Sequence, residues 1–165
     1  MYTLYKETTV STTMKEAWNF IRSPANLNHI TPDDMAFEIV SDLPDQMTEG
    51  MLVEYRVQLP LFGKTPWLSE LKHIVPGTSF VDEQKIGPYK LWYHYHEIRP
   101  VKQGVMFIDR VTYEVPFGPV GRLAHALFIR RTLDRIFAFR EVRLRELLGS
   151  ESIINLHASE KVQAG

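Results

Sequence analysis

The pattern of apolar and polar positions divides the chain into a long alternating region and one helical stretch near its end. From Pro119 to Leu148, apolar residues recur at the spacing of an amphipathic helix. Prolines and glycines before this stretch break the preceding strand, and Gly149 follows its last apolar turn. We therefore predict one continuous helix, about 45 Å long at about 1.5 Å per residue. Its predicted buried stripe comprises Ala126, Ile129, Leu133, Ile136, Phe137, Leu144, Leu147 and Leu148.

Before this helix, the pattern is that of strands separated by short turns. Residues Tyr2 to Val10 alternate and contain Thr, Tyr and Val, which favours a first strand. Two short helices are predicted next, one opened by a capping box of Thr13 and Glu16 and one from Pro24 to Ile30. The later links are too short for parallel crossovers, so they predict antiparallel neighbours. The six further predicted strands are Met35–Asp42, Met51–Leu59, Pro66–Val75, Ser79–Ile86, Leu91–Pro100 and Gly104–Val115.

Length, charge and cysteine content narrow the classes of function. The 165 residues fit a single domain, which we place at 1–148, with a polar, mobile C-terminal tail at 149–165. The formal net charge is −1, which gives no electrostatic support for nucleic-acid binding. There is no cysteine, which excludes disulfides, thiolate nucleophiles and cysteine-based metal sites. The sequence contains no run of 18 or more apolar residues, so we predict no stable membrane insertion. We expect a cytoplasmic protein.

The last two strands combine aromatic residues with histidine and aspartate. In the final strand, Asp109 and Tyr113 share a side with apolar residues, and we expect that side to face the helix. In the strand before it, we assign Trp92, His94 and His96 to the inward side. An apolar pocket with a few convergent polar groups is typical of a small-molecule site. The predicted ligand-binding residues are Trp67, Trp92, His94, His96, Asp109, Tyr113 and Phe137.

Three stretches resemble one known group of proteins. They run from Phe80 to His96, from Asp109 to Gly118 and from Ile136 to Arg140. With the order of elements over residues 2–148, they are similar to the SRPBCC superfamily, also called START or Bet v 1-like. Within it, the resemblance is to the bacterial ligand-binding or cyclase/dehydrase-like branch.

This resemblance implies an α+β helix-grip fold with a deep hydrophobic cavity. In that fold a seven-stranded antiparallel sheet wraps around a long C-terminal helix, and two short helices follow the first strand. Members of the superfamily bind lipids, sterols, polyketides and hormones, and a minority catalyse cyclisation, dehydration or hydroxylation. The branch has no settled catalytic set, so no residue of this chain inherits a role.

The group of His94, His96 and Asp109 allows three interpretations. Two imidazoles on one strand face and a neighbouring carboxylate are a geometry that several metal sites use. Alternatively, Asp109 orients one ring and raises its pKa for acid–base catalysis. In the third interpretation, the three side chains form a structural hydrogen-bonded network. We predict no metal and no cofactor, and these three residues are the only catalytic candidates.

Several other side chains bear on the predicted cavity and surface. Arg140 lies within the apolar stripe, which predicts partial burial and a structural ion pair. The alternation does not decide whether Asp82 points inward or outward. Phe128 and Phe139 project away from the stripe, and such exposed aromatics suit a dimer contact, a membrane-touching patch or packing under the tail.

The function predicted from these observations is binding of a hydrophobic or amphipathic small molecule, such as a lipid, polyketide or isoprenoid-like compound. The alternative is a cyclase, aromatase or dehydratase that uses the same cavity with His94, His96 and Asp109 as acid–base groups. A third class is a helper domain acting on a partner protein. A homodimer is compatible with the sequence.

Overall fold

A computed structural model of the chain describes residues 1–35, 38–42, 44, 46–59 and 63–149. The predicted tail from residue 150 onward lies outside the described residues. The fold is α+β, with one antiparallel sheet of seven strands and a long C-terminal helix. Among the described residues, no helix is long and apolar enough to cross a membrane.

The strands of the sheet are β1 Tyr2–Val10, β2 Glu38–Ile39, β3 Met51–Leu59, β4 Gly63–Val75, β5 Ser79–Ile86, β6 Leu91–Val101 and β7 Gly104–Glu114. Their spatial order is β1-β7-β6-β5-β4-β3-β2, so consecutive strands pair from β2 to β7, and β1 pairs with β7. Short turns between consecutive strands favour this antiparallel meander.

Two helical segments follow β1, as predicted. Helix α1, Met14–Ile21, begins at Thr13, whose hydroxyl accepts a hydrogen bond from the Glu16 amide while the Glu16 carboxylate accepts one from the Thr13 amide. This reciprocal capping box satisfies two otherwise unpaired amides. The second segment, Pro24–Ile30, is a 3₁₀ helix that Pro24 opens.

The predicted strand Met35–Asp42 is wrong at its start and at its end. Met35 ends a 3₁₀ turn, Asp33–Met35, and among the described residues of this stretch only Glu38–Ile39 forms a strand, which pairs with β3. Residues 36, 37 and 43 lie outside the described part of the chain. The polar Asp33-Asp34 pair favours a turn.

The C-terminal helix runs from Gly118 to Leu148, which confirms the predicted long helix with one difference. Helix α2, Gly118–Ala124, and helix α3, Arg130–Leu148, are joined by a single π-helical segment, His125–Ile129. A π turn winds more residues per turn than an α-helix, so it changes which side chains face the sheet. His125 is therefore buried, and Ala126, which we predicted to be buried, is exposed.

The core lies between the helix and one face of the sheet. Leu133, Phe137, Leu144 and Leu148 of α3 are buried, as the predicted stripe requires. From β7, alternate residues from Val105 to Val115 turn to this interior, which confirms their predicted side. The buried clusters are continuous with α1 and the 3₁₀ helix through Ala17 and Ile30.

Candidate ligand-binding cavity

A cavity of about 170 Å³ lies between the sheet and helix α3. A single buried water needs roughly 10–15 Å³. The cavity is therefore much larger than the space that one buried water occupies. Phe20 and Leu27 contribute to the wall from the helical segments after β1, and Ile136 contributes from α3. The cavity is therefore enclosed by elements that are distant in sequence.

Six of the seven predicted ligand-binding residues line this cavity. They are Trp67, Trp92, His94, His96, Asp109 and Phe137. Tyr113 is not among the lining residues. Its hydroxyl lies 2.8 Å from Nε2 of His125, which the π-helical segment turns toward the sheet. Sequence reasoning placed Tyr113 on the correct side of β7 but had no means to find His125 as its partner.

Aromatic rings form much of the cavity wall. The indoles of Trp67 and Trp92 meet edge to face with centroids 5.3 Å apart, and the Tyr89 ring lies 4.9 Å from that of Trp92. On another part of the wall, Phe80 stacks on His96 at 4.4 Å. Edge-to-face and offset ring pairs of this kind are stabilising contacts, and they make this part of the wall largely apolar.

One carboxylate oxygen organises the polar part of the cavity. Oδ1 of Asp109 lies 2.8 Å from Nε2 of His94, 3.1 Å from Nδ1 of His96 and 2.9 Å from Nη1 of Arg140. Adjacent strands bring the two imidazoles to Asp109, because His96 pairs directly with it across β6 and β7. The predicted ion pair of Arg140 is confirmed.

The electrostatics of this cluster follow from burial and from the positive charge of Arg140. Burial raises the pKa of Asp109, but the guanidinium and hydrogen bonds from His94 and His96 outweigh it and hold that pKa well below its usual range. Burial lowers the pKa of His94 to about 3, against the raising effect of Asp109. Asp109 therefore raises the pKa of His94, as predicted, but desolvation outweighs this effect and the net shift of that pKa is downward. His94 is neutral at physiological pH.

The His94, His96 and Asp109 ligand atoms lie within 4.8 Å of one another, a spacing compatible with a metal ion. Arg140 argues against one, because its guanidinium already occupies the same Asp109 oxygen and would repel a cation. Arg140 also stacks on Phe137, with its charged carbon 4.8 Å from the ring centroid. The arrangement favours a structural ion pair, and the absence of a metal stays a prediction.

The Asp82 carboxylate is a second polar group in the cavity wall. The sequence did not decide whether this side chain points inward or outward. Burial raises the pKa of Asp82, against lowering effects of the Ser69 hydroxyl, His96 and Arg140. The same hydroxyl accepts a hydrogen bond of 3.0 Å from Nε1 of Trp67. Oδ1 of Asp82 has no hydrogen-bond partner among the described residues. Neighbouring Phe80 and Val81 are both buried, so alternation alone did not show which face of β5 points inward.

Comparisons with known proteins identify the fold. No known family matches the sequence, and no curated protein is similar to it. The structure is similar to TTHA0849 from Thermus thermophilus, with 14% identity over 87% of this chain and 97% of that chain, and a TM-score of 0.61. It is also similar to Ara h 8.0201, a Bet v 1-like protein, with 15% identity over 85% and 95% of the two chains and a TM-score of 0.54. The chain has the helix-grip fold.

A third solved structure shows the same fold within a longer protein. A nucleoside-diphosphate sugar epimerase from Corynebacterium glutamicum matches with 18% identity and a TM-score of 0.63. The match covers 87% of this chain and 28% of that one. At these identities the likeness is one of fold, and it confirms the helix-grip fold that the resemblance implies.

Proposed function

We propose that this protein binds a hydrophobic or amphipathic small molecule, of lipid, polyketide or isoprenoid type, in the cavity between the sheet and the C-terminal helix. The observation that carries the proposal is the cavity itself, about 170 Å³ of space walled by aromatic and aliphatic side chains. Cavities near this size lined by apolar groups bind small apolar molecules such as benzene. The helix-grip fold supports a ligand-binding scaffold in general.

The polar groups of the wall favour a ligand with one polar end. Asp109, Arg140 and the two histidines lie together, whereas Trp67, Tyr89 and Trp92 form an aromatic part of the wall. A molecule that buries an apolar body against the rings and directs a polar atom to the cluster satisfies both surfaces. A purely apolar ligand would leave polar groups of the wall without compensation.

A neutral fluorophore with an apolar body and one polar group, such as N-phenyl-1-naphthylamine with its amine, tests this proposal. We expect saturable, one-to-one binding, and a decrease in affinity of at least roughly tenfold, or about 1.4 kcal/mol, in Ile136→Trp, which places an indole in the cavity. Val142→Trp is the matched control, because Val142 lies on the same helix but is exposed. Absence of saturable binding to the wild type, or equal binding by Ile136→Trp, contradicts the proposal.

The alternative is an enzyme of cyclase, aromatase or dehydratase type, and the pairing of Asp109 with two imidazoles at the cavity wall favours it. His94 is a poor candidate for the general base, since a group with a pKa of about 3 has little affinity for a proton at neutral pH. The role would fall to His96, which is less buried. Mass spectrometry of ligand recovered after incubation decides between the classes. A binder returns the ligand unchanged, whereas an enzyme returns a cyclised or dehydrated product that disappears with His96→Gln.

A further inference from the structure

The beginning of the C-terminal helix carries an apolar surface that no described element covers. Val120, Leu123 and Leu127 are exposed by 71%, 61% and 52%, and their spacing of three and four places them on one side of the helix. Phe117 and Phe128 extend this surface, with exposures of 72% and 48%. Isolated exposed apolar residues are ordinary, but five together mark an interaction site.

Three arginines flank these side chains. Arg122, Arg130 and Arg131 are exposed, and none of them forms an ion pair within the described part of the chain. Other arginines of α3 behave differently, since Arg143 and Arg145 pair with glutamates on their own helix. We call the five apolar residues and these three arginines the helix-start patch. It places three positive charges on a chain whose formal net charge is −1.

The apolar cluster Ile153, Ile154 and Leu156, which follows the helix, is too near Gly149 to reach the helix-start patch. From Gly149 back to Leu127 the helix rises about 33 Å at about 1.5 Å per residue. Leu156 lies seven residues past Gly149. Fully extended, seven residues span at most about 25 Å. The patch is therefore open, among the described residues, to an occupant from outside the chain.

The positive charge of the patch distinguishes two candidate occupants, a second copy of this chain and a membrane surface. A two-fold dimer would place the same surface of each copy against the other and bring six like-charged arginines to one interface. A membrane that contains anionic lipids offers negative headgroups above an apolar layer, which matches both parts of the patch. Apolar side chains on one helix face enter the headgroup boundary, and flanking arginines contact the headgroups.

We propose that the helix-start patch docks the protein onto the surface of membranes that contain anionic lipids. This is peripheral binding, in which α2 and the π-helical segment lie on the membrane. The proposal does not depend on which ligand the cavity takes, or on whether it takes one. It assigns a partner to the exposed Phe128 that the sequence had singled out.

Sedimentation of the full chain with vesicles tests the proposal. We expect binding to vesicles of phosphatidylcholine with phosphatidylserine, weaker binding to phosphatidylcholine alone, and loss of the difference at high salt. The triple variant Arg122→Gln/Arg130→Gln/Arg131→Gln should bind the anionic vesicles on the order of a hundredfold more weakly, since each arginine near the surface contributes roughly fivefold. Val120→Gln/Leu123→Gln/Leu127→Gln should lose binding to both kinds of vesicle.

The matched control removes three positive charges elsewhere. Lys15→Gln/Arg56→Gln/Lys102→Gln has the same net charge as the arginine triple, and all three positions are exposed. It should retain most of the binding to anionic vesicles. The proposal is overturned if the wild type binds neither kind of vesicle, if the arginine triple and its control weaken binding equally, or if neither patch variant affects binding. It is also overturned if sedimentation velocity shows a wild-type dimer that Leu123→Gln dissociates, because a second copy is then the occupant.

Discussion

Replacing Arg140 with methionine isolates the role of the guanidinium beside Asp109. Methionine keeps an apolar side chain against Phe137 but removes the guanidinium, whose Nη1 lies 2.9 Å from Oδ1 of Asp109. Both side chains are nearly buried, with exposures of 10% and 12%, so water screens the pair little. The carboxylate would remain with His94 and His96 as partners.

The expected loss of stability is large. Removing one partner of a buried ion pair costs about 3–5 kcal/mol, and the two imidazoles that remain place Arg140→Met near the lower value. For a domain of this size, about 3 kcal/mol corresponds to a decrease in Tm of about 6–12 °C. Urea unfolding at neutral pH, followed by Trp fluorescence, measures the free energy directly.

A double-mutant cycle with Asp109→Leu separates the ion pair from simple loss of packing. We expect the double variant to be less destabilised than the sum of the single variants by about 2 kcal/mol, because it leaves no unpaired charge. Additivity within about 0.5 kcal/mol would refute the reasoning, as would an Arg140→Met variant as stable as the wild type.

Three further predictions concern proton binding, packing and metal. The folded-state pKa of His94 is about 3 against 6.5 in an unfolded chain, so the unfolded state binds more protons between these values and stability falls as the pH decreases from about 6.5. The free energy of unfolding should change by up to about 1.4 kcal/mol per pH unit in this range, which denaturant unfolding at several pH values measures. A His94→Gln variant with the same pH dependence as the wild type would contradict the assignment of this effect to His94. Gly121→Ala should destabilise the domain by about 1–3 kcal/mol in thermal unfolding, because its Cβ would lie 1.8 Å from the Pro116 carbonyl oxygen; an unchanged Tm would show that α2 lies elsewhere. Elemental analysis should find no stoichiometric zinc, iron or copper, and a full equivalent that is lost in His94→Ala would show that the cluster binds metal.

The order and type of the elements could be predicted because each follows from local chemistry. Alternation identified the strands, and the capping box at Thr13 identified the first helix, since both depend on residues a few positions apart. Burial of Arg140 could be predicted for the same reason, from its place among Leu133, Phe137 and Leu144. The inward side of β7 followed from period-two alternation along an unbroken strand.

The errors arose where a segment departs from regular geometry. Projection at a constant angle placed Ala126 in the buried stripe, and the π-helical segment His125–Ile129 changes that phase and buries His125 instead. The face of β5 was undecidable because the adjacent Phe80 and Val81 are both buried, so this strand does not alternate cleanly. The pairing of β5 with β4 also has register shifts after Leu68 and after Lys72. Such irregularities decide which side chains meet, and no short-range pattern encodes them.

The composition of the cavity wall could be predicted only in part for a related reason. The residues of β6 and β7 that line it share strand faces that the sequence displays. Asp82, Tyr55 and Tyr89 also line it, but each reaches the cavity through the tertiary arrangement of other strands and turns. Burial shifts the pKa of Asp82 and Tyr55 upward, a signal that exists only once the fold is known.

Native mass spectrometry tests the central claim, that the cavity holds a small molecule, most directly. The purified chain is incubated with an organic extract of the expression host and compared with Ile136→Trp and Val142→Trp. The account predicts a one-to-one adduct on the wild type and on Val142→Trp, released on denaturation and strongly reduced on Ile136→Trp. A wild-type spectrum with no adduct, or adducts of equal abundance on Ile136→Trp, would contradict it.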